Sequence, residues 1–417
     1  MTSFRFLHAA DIHLDSPLHG LSRYEGLPDA DIRGATRAAF DNLVQRAMDE
    51  AVDFVIISGD LFDGEWKDMG TGLYFAKAMG RLNQVGIPVF LLAGNHDAAS
   101  VITRSVPWPQ NVRLFTSKKP QTYLLQDLGV AVTGQSFATP AVTANLVLGY
   151  PNPVAHHFNI GVLHTALAGR EGHAAYAPCS LDELRSRRYD YWALGHVHEY
   201  ELVSTAPYVV FPGNIQGRNI REAGVKGAVL VTVEDLQVTS VERIELDVLR
   251  WARIEVDCTD GTLDDVPHLI REALTAQLQG KSGGLPLVVR LSLVGKVADA
   301  GAFYDRAGSL RDDARAVASS LSPDLFIEKV KLHVSAVPPA CDRMVSDDLV
   351  DLIDQSVASV ALAAALAEEL KPFMLAAQTL LGPPEDDDLR LLANAGDWPA
   401  LLSTAAMALQ VRLTGKV

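Results

Sequence analysis

Five apolar runs in the first half of the chain each close on side chains that hold metals. Asp11-Ile12-His13 follows Phe4–Ala10, Gly59-Asp60 follows Phe54–Ser58, and Gly94-Asn95-His96-Asp97 follows Pro88–Ala93. His164 follows Phe158–Leu163, and Gly195-His196-Val197-His198 follows Tyr189–Leu194. In an open α/β sheet, functional groups gather outside the carboxyl ends of the strands. Five such ends can bring nitrogen and oxygen donors for two cations to one place, provided one carboxylate serves both. Two divalent ions ~3.5–4 Å apart can clamp a phosphodiester and generate hydroxide for in-line attack. Imidazoles with carboxylates suit manganese, iron or zinc, whereas an all-oxygen set would favour magnesium or calcium. Asp60 is the candidate shared carboxylate, because Gly59 lets the backbone come close. Residues i and i+2 of an extended segment point the same way. That alternation predicts that Asp11 with His13, and His196 with His198, address one cavity.

Single residues carry little weight. A histidine on an apolar strand is usually a satisfied core or surface group, and His8, His268 and His333 read that way. His156, His157 and His173 stand in polar loops and read as solvated. A lone Gly-Asp says almost nothing. The force lies in the ordered series, each member closing an apolar run. The chain has no GxxxxGK[ST], no glycine fingerprint after a strand and no GxSxG, so P-loop ATP hydrolysis, dinucleotide binding and a serine triad find no support.

Positioning the five strand ends requires a layered α/β domain. Ala39, Phe40, Leu43, Val44, Ala47 and Met48 have helical spacing and predict a helix over 33–51; Gly72–Val85 reads similarly. Further strands are predicted at Thr122–Leu125, Val130–Gly134, Tyr208–Phe211 and from Ala228–Val233 on to about Glu245. From Trp251 a β-α-β-α-β series suggests a compact second domain. A linker, Val337–Arg343, leads to a helical tail with Ser346 as N-cap and Leu349, Ile353, Val357 and Val360 on one face. Gly382–Asp388 breaks the tail, and a last helix is predicted over Leu401–Leu413. The expected domains are 1–247, 248–337 and 338–417. The apolar stripe of the tail reads equally as docking on its own chain or as a surface for a partner helix.

The 417 residues carry a net charge of −15. Residues 1–250 hold 21 basic and 27 acidic side chains, 251–339 hold 10 and 12, and 340–417 hold 5 and 12. Nearly half the deficit thus belongs to the tail, and two divalent cations would bring the first segment close to neutral. This balance neither excludes nor supports nucleic acid. Cys179, Cys258 and Cys341 lie far apart with no CxxC, which suits a reducing cytoplasm and opposes a disulfide framework or thiolate zinc site. No run approaches the ~20 apolar residues of a membrane span, and the N-terminus is not built as a signal peptide.

The ordered series resembles that of the calcineurin-like metallophosphoesterases. Within them HAADIHLDSPL, ISGDLFD, LLAGNHD, LGHVHE and FPGNIQGRNIRE look like the SbcD-type DNA repair exonucleases, in the YhaO branch. The resemblance implies a four-layer αββα sandwich with a small α/β capping domain and a helical C-terminal tail. It implies one metal on Asp11, His13, Asp60 and His198, and a second on Asp60, Asn95, His164 and His196. His96 would face the scissile phosphate, oriented by Asp97. The implied ions are manganese(II), the substrate DNA, and the tail's partner the coiled coil of an SMC-like ATPase; a homodimer through the catalytic domain is also implied. One departure stands out: many such nucleases have histidine three residues after the shared aspartate, and here Asp63 stands there. Arg104, Lys118, Lys119, Arg218 and Arg221 are the basic candidates for a DNA path, with ordinary surface charge as their other reading. Two alternatives share the same residues: a metallophosphatase or cyclic-nucleotide phosphodiesterase, and a scaffold with a structural metal.

Overall fold

The computed structural model describes residues 2–16, 29–63, 69–99, 108–167, 176–281, 284–336 and most of 352–381 and 389–409. Ser346, the 337–343 linker, the break at 382–388, Arg104, His173 and the end of the last expected helix lie outside the described residues. The chain forms two compact units, the first mainly the residues up to Ala252 together with Gly283–Val288, the second mainly Arg253–Ser282 and Val289–Val417.

The first strand, β1 (Ser3–Ala9), shows how the layers of the first unit arise. Phe4 and Phe6 join one buried cluster while Leu7 and Ala9 join another, the period of two that puts alternate side chains on opposite faces. The Leu7 face packs under α1 (Asp29–Asp49) and α2 (Met69–Gln84), through Phe40, Leu43, Val44, Phe75 and Met79. The Phe6 face packs against a second sheet: Phe6, stacked at 5.0 Å on Phe54 of the neighbouring strand, meets Tyr191 of that sheet edge-on at 5.2 Å. Burying each such ring removes enough apolar surface to contribute about 1.5–3 kcal/mol.

Sheet one has the order β12-β11-β1-β2-β3-β4, with β2 (Phe54–Ser58), β3 (Val89–Leu92) and β4 (Val112–Leu114) parallel to β1. Its antiparallel edge is β11 (Gly227–Glu234) and β12 (Gln237–Glu245). Sheet two has the order β5-β6-β7-β8-β10-β9. Its β6 (Val130–Gly134), β7 (Phe158–His164), β8 (Tyr191–Gly195) and β10 (Tyr208–Phe211) run parallel, between β5 (Gln121–Leu125) and β9 (Glu201–Thr205). The outer face of sheet two buries Leu163, Trp192, Leu194 and Phe211 with Leu184, which belongs to a short helix, Leu181–Ser186. The result is the expected αββα order of layers. The second unit carries a three-stranded sheet of β13 (Arg250–Asp257), β14 (Leu287–Val297) and β15 (Leu325–Ala336), with intervening helices Val266–Lys281, Ala300–Asp305 and Ala307–Leu321. Its tail is helical over Val360–Leu381, a short helix spans Leu389–Asn394, and helix is described again over 398–402, where the last expected helix begins.

His8 ties the two sheets together beneath the strand ends. It is fully buried, as the core reading of the sequence has it. Nε2 lies 3.1 Å from the carbonyl oxygen of Leu194, which only accepts, so Nε2 carries the proton; Nδ1 accepts from the Tyr191 hydroxyl at 3.0 Å. Burial lowers its pKa from 6.5 to about 3, with the Leu194 bond offsetting part of the shift. The unfolded chain therefore takes this proton first, and stability present above pH 6.5 is lost as pH falls toward 3. One such group contributes a slope of at most about 1.4 kcal/mol per pH unit. The variant His8→Gln is expected to flatten the acid limb by that amount. Urea unfolding of both proteins from pH 7 to 4 checks it, and equal slopes would remove His8 from the account.

Candidate metal centre

All seven sequence-predicted ligands lie in the first unit, and the loops that carry them are bound to one another. Beyond β1, Asp11 N donates to Gly59 O (3.0 Å), His13 N to Asp60 O (3.0 Å) and Leu14 N to Leu61 O (2.9 Å). Asp11, His13 and Asp60 adopt φ of 50°, 45° and 51°, and His196 adopts 100°. This corrects the expected strand alternation. β1 ends at Ala9 and β8 at Gly195, so Asp11, His13 and His196 are aimed by left-handed turns rather than by extended backbone. Each such residue costs of order 1–3 kcal/mol and persists only where its surroundings over-determine it; the backbone bonds between loops do so here. Gly59 and Gly195 complete the fit. A Cβ at either would run into Nδ1 of His164, and at Gly195 also into Ser58 O.

Three donor groups converge, each with its atoms within 4.8 Å of one another: Asp11, His13 and His198; His13, Asp60 and His96; and Asp60, His164 and His196. The two carboxylate oxygens of Asp60 are not equivalent. Oδ1 accepts the backbone N–H of His96 at 3.0 Å. Oδ2 lies 3.4 Å from His164 Nε2 and 3.9 Å from His13 Nε2, so one atom faces both groups. Asp11 accepts from His196 N through both oxygens, at 3.1 and 2.9 Å, while its Oδ1 stays 3.8 Å from His198 Nε2. Asn95 places Oδ1 2.9 Å from His164 Nε2.

Hydrogen bonds on the far nitrogens set the tautomers. His164 Nδ1 donates to Ser58 O at 2.9 Å, leaving the Nε2 lone pair toward Asp60 and Asn95. His198 Nδ1 donates to Glu222 Oε1 at 2.8 Å, leaving its Nε2 lone pair 3.3 Å from His13 Nε2. His13 Nδ1 is buried without a hydrogen-bond partner among the described residues. Imidazole nitrogens gathered this closely around one carboxylate suit a positive centre between them. The same need shows in the proton: burial opposes a charge on His164, yet Asp60 and Asp11 outweigh it and push its pKa up to about 9. His13 goes the other way, held neutral by burial and by the neighbouring Arg218, His198 and His96. The donor set fits divalent cations, and the two expected sets of ligands, Asp11, His13, Asp60 and His198 and then Asp60, Asn95, His164 and His196, both fall within it.

His96 is half-exposed, and its Nδ1 pairs with Asp63 Oδ1 at 3.1 Å. The expected orienting group, Asp97, is committed elsewhere. It accepts from Leu61 N (3.1 Å), Phe62 N (2.8 Å) and Gly94 N (3.0 Å), stitching the β2 and β3 loops together. Asp63 therefore holds His96, and Ser16 Oγ holds Asp63 at 2.8 Å. Sequence reasoning also missed Glu222, which sits far along the chain with no spacing signal linking it to His198. Arg218 is not a free basic group: its Nε and Nη2 engage Glu222, the shortest contact being 2.6 Å. Lys118, Lys119 and Arg221 are exposed. Asp15 is tied to Arg37 and Thr71 and stands outside the three donor groups.

Comparison with known proteins places this centre. The family model described as calcineurin-like phosphoesterase matches residues 4–200, and that of the metallophosphoesterase YhaO middle domain matches 251–335. A protein of Bacillus subtilis (strain 168), named uncharacterized metallophosphoesterase YhaO, is 36% identical over 299 residues, covering 71% of this chain and 72% of its own. The chain is a calcineurin-like metallophosphoesterase. Solved structures similar to this phosphoesterase include TT1561 of Thermus thermophilus (15% identity, 59% of this chain and 100% of that one, TM-score 0.34). A dimetal phosphatase from Danio rerio is 10% identical, covering 59% and 98% of the two chains with a TM-score of 0.35.

A cation that binds only the folded phosphoesterase stabilises it by about 2.7 kcal/mol at a hundredfold excess over Kd. Manganese is expected to raise the unfolding midpoint of the wild type relative to EDTA. Asp60→Asn, which weakens both groups through Oδ2, is expected to lose most of that gain. Paired chemical-denaturation curves measure it, and an undiminished gain in Asp60→Asn would remove Asp60 from the shared position.

Proposed function

We propose that this phosphoesterase is a two-metal phosphodiesterase that hydrolyses DNA, in a repair setting in the cytoplasm, with manganese as its ion and an SMC-like ATPase subunit bound through the helical tail. The observation that carries the hydrolytic reading is His96, a half-exposed histidine beside the donor groups whose Nδ1 is engaged by a carboxylate. A purely structural metal site has no use for it. The DNA reading rests on the likeness of five sequence runs to SbcD-type nucleases and on the capping and tail segments that follow the catalytic unit.

When bound, two divalent ions polarise the phosphoryl oxygens and lower the pKa of water. The chain supplies the proton chemistry. His96 Nδ1–H donates to Asp63, which leaves Nε2 to deliver a proton to the departing oxygen. Burial would lower the pKa of His96, but the Asp63 bond and the charge of Asp60 outweigh it and raise it. Asp63 answers in kind. Burial would raise it, while the bonds from His96 and Ser16 bring it down to about 2, so it stays ionised across the working range. Asp63 also favours a second reading, a metallophosphatase or cyclic-nucleotide phosphodiesterase. A carboxylate beside His96 repels a long phosphate backbone more than a small ester.

Purified protein with manganese, tested on linear, hairpin and single-stranded DNA and on bis-p-nitrophenyl and p-nitrophenyl phosphate, separates these readings. DNA cleavage with diester preference is expected; monoester preference without DNA cleavage would establish the second reading. His96→Ala is expected to lower kcat by about 10²–10⁴-fold. A general acid must be protonated, so activity falls as pH rises through its pKa. Asp63→Asn removes the group that raises that pKa, and the alkaline limb of the kcat profile is expected to move to lower pH.

A further inference from the structure

We infer that Glu222 is the positioning residue for His198, and through it sets the affinity of one of the two cation sites while leaving the other untouched. The inference rests on the two-metal reading above.

The far nitrogens of three ligand histidines are treated differently. His164 Nδ1 donates to a backbone carbonyl, Ser58 O, at 2.9 Å. His13 Nδ1 is buried without a partner among the described residues. His198 Nδ1 donates to a carboxylate, Glu222 Oε1, at 2.8 Å. Of the three, only His198 has its tautomer and ring orientation set by a charged side chain. A carboxylate behind an imidazole both fixes the ring and makes its other nitrogen a stronger donor to a cation.

Glu222 cannot swing away. It is buried at the end of a one-turn helix, Ile220–Glu222, whose first turn is capped by Asn219. Besides His198, its oxygens accept from Asn214 Nδ2 (2.9 Å), from Arg218 N (2.8 Å), and from Nε and Nη2 of Arg218. The guanidinium balances the charge, so the carboxylate stays ionised in a desolvated place without a proton of its own. Lys226 adds a second restraint by donating from Nζ to the backbone oxygen of His198 at 2.7 Å. The ring of His198 and its backbone are thus each held by a group outside the donor clusters.

The consequence is asymmetry. Of the three groups, His198 belongs only to that with Asp11 and His13, whereas Asp60, His164 and His196 form a group without it. None of the bonds of Glu222 reaches that second group. Loss of a partner of this kind weakens metal affinity by about 10–100-fold, and here the loss falls on one site.

The test uses the full chain with Glu222→Ala and Glu222→Gln, stripped of metal and titrated with manganese(II). Calorimetry reads stoichiometry and affinity, and low-temperature EPR distinguishes a coupled pair of ions from an isolated one. The wild type is expected to bind two ions, giving a coupled signal at saturation. Glu222→Ala is expected to keep one site at wild-type affinity and to weaken the other by about 10–100-fold, so that an isolated-ion signal dominates at equimolar excess over the strong site. High manganese is expected to restore the pair and the activity, which a merely structural defect would not allow. Glu222→Gln keeps an oxygen for His198 and is expected to fall between; it carries the test if circular dichroism shows that the alanine variant is unfolded. Two unchanged sites, or two sites weakened alike, would overturn the inference. A wild type that binds fewer than two ions would instead overturn the two-metal reading on which it rests.

Discussion

Lone pairs brought close together around Asp60 are the constraint on which the structure depends. Oδ2 of Asp60 faces Nε2 of His164 in a buried place, and Nε2 of the partly buried His198 faces His13 beside it. Inside a protein an uncompensated group of this kind costs far more than it does in solution. Either a proton or a cation must enter, and the raised pKa of His164 shows the proton alternative at work. Everything that surrounds the cluster, from backbone turns to the carboxylates behind the ligands, serves to keep those acceptors from turning toward other partners.

The fold meets that constraint by binding loop to loop. The left-handed residues Asp11, His13 and Asp60 would relax if the β1 and β2 loops moved apart, but three backbone bonds join them and Asp97 fastens the β3 loop alongside. Small residues at Gly59 and Gly195 then let the two sheets approach, with Ser58 and His164 in contact across the gap. Beneath, the aromatic layer of Phe6, Phe54 and Tyr191 and the bonds of His8 hold the sheets at a fixed separation. Stability and site geometry are therefore one problem: the strain at the ligands persists only because the inter-sheet core is rigid.

Two carboxylates divide the work around the centre. Asp63 addresses the half-exposed His96, the proposed proton donor. Glu222 addresses the buried end of His198, where a ring must stay still. The first is matched with a hydroxyl, Ser16, and the second with a guanidinium, Arg218, and this difference suits their tasks. A carboxylate locked by many donors cannot follow a moving proton, whereas one held by a single hydroxyl and an imidazole can respond to a change of charge on its partner.

The strands and main helices were legible in the sequence because each closes locally. Phe54–Ser58, Val130–Gly134 and Tyr208–Phe211 end where the apolar run ends, and the spacing of Phe40, Leu43 and Val44 marks the buried side of its helix. The ligand types were legible too, since chemistry restricts them to nitrogen and oxygen donors at strand ends. Alternation failed at Asp11, His13 and His196, because positive φ there is enforced by neighbouring loops and not by the residues themselves. Asp97 looked like the partner of His96 because it is adjacent in the chain, yet adjacency does not settle which way a carboxylate faces. So the sequence alone determined the layers and the order in which the candidate donors appear. Only the tertiary structure decided that Asp63 pairs with His96 and Glu222 with His198, because a hydrogen bond is set by distances of about 3 Å between atoms whose separation along the chain carries no information.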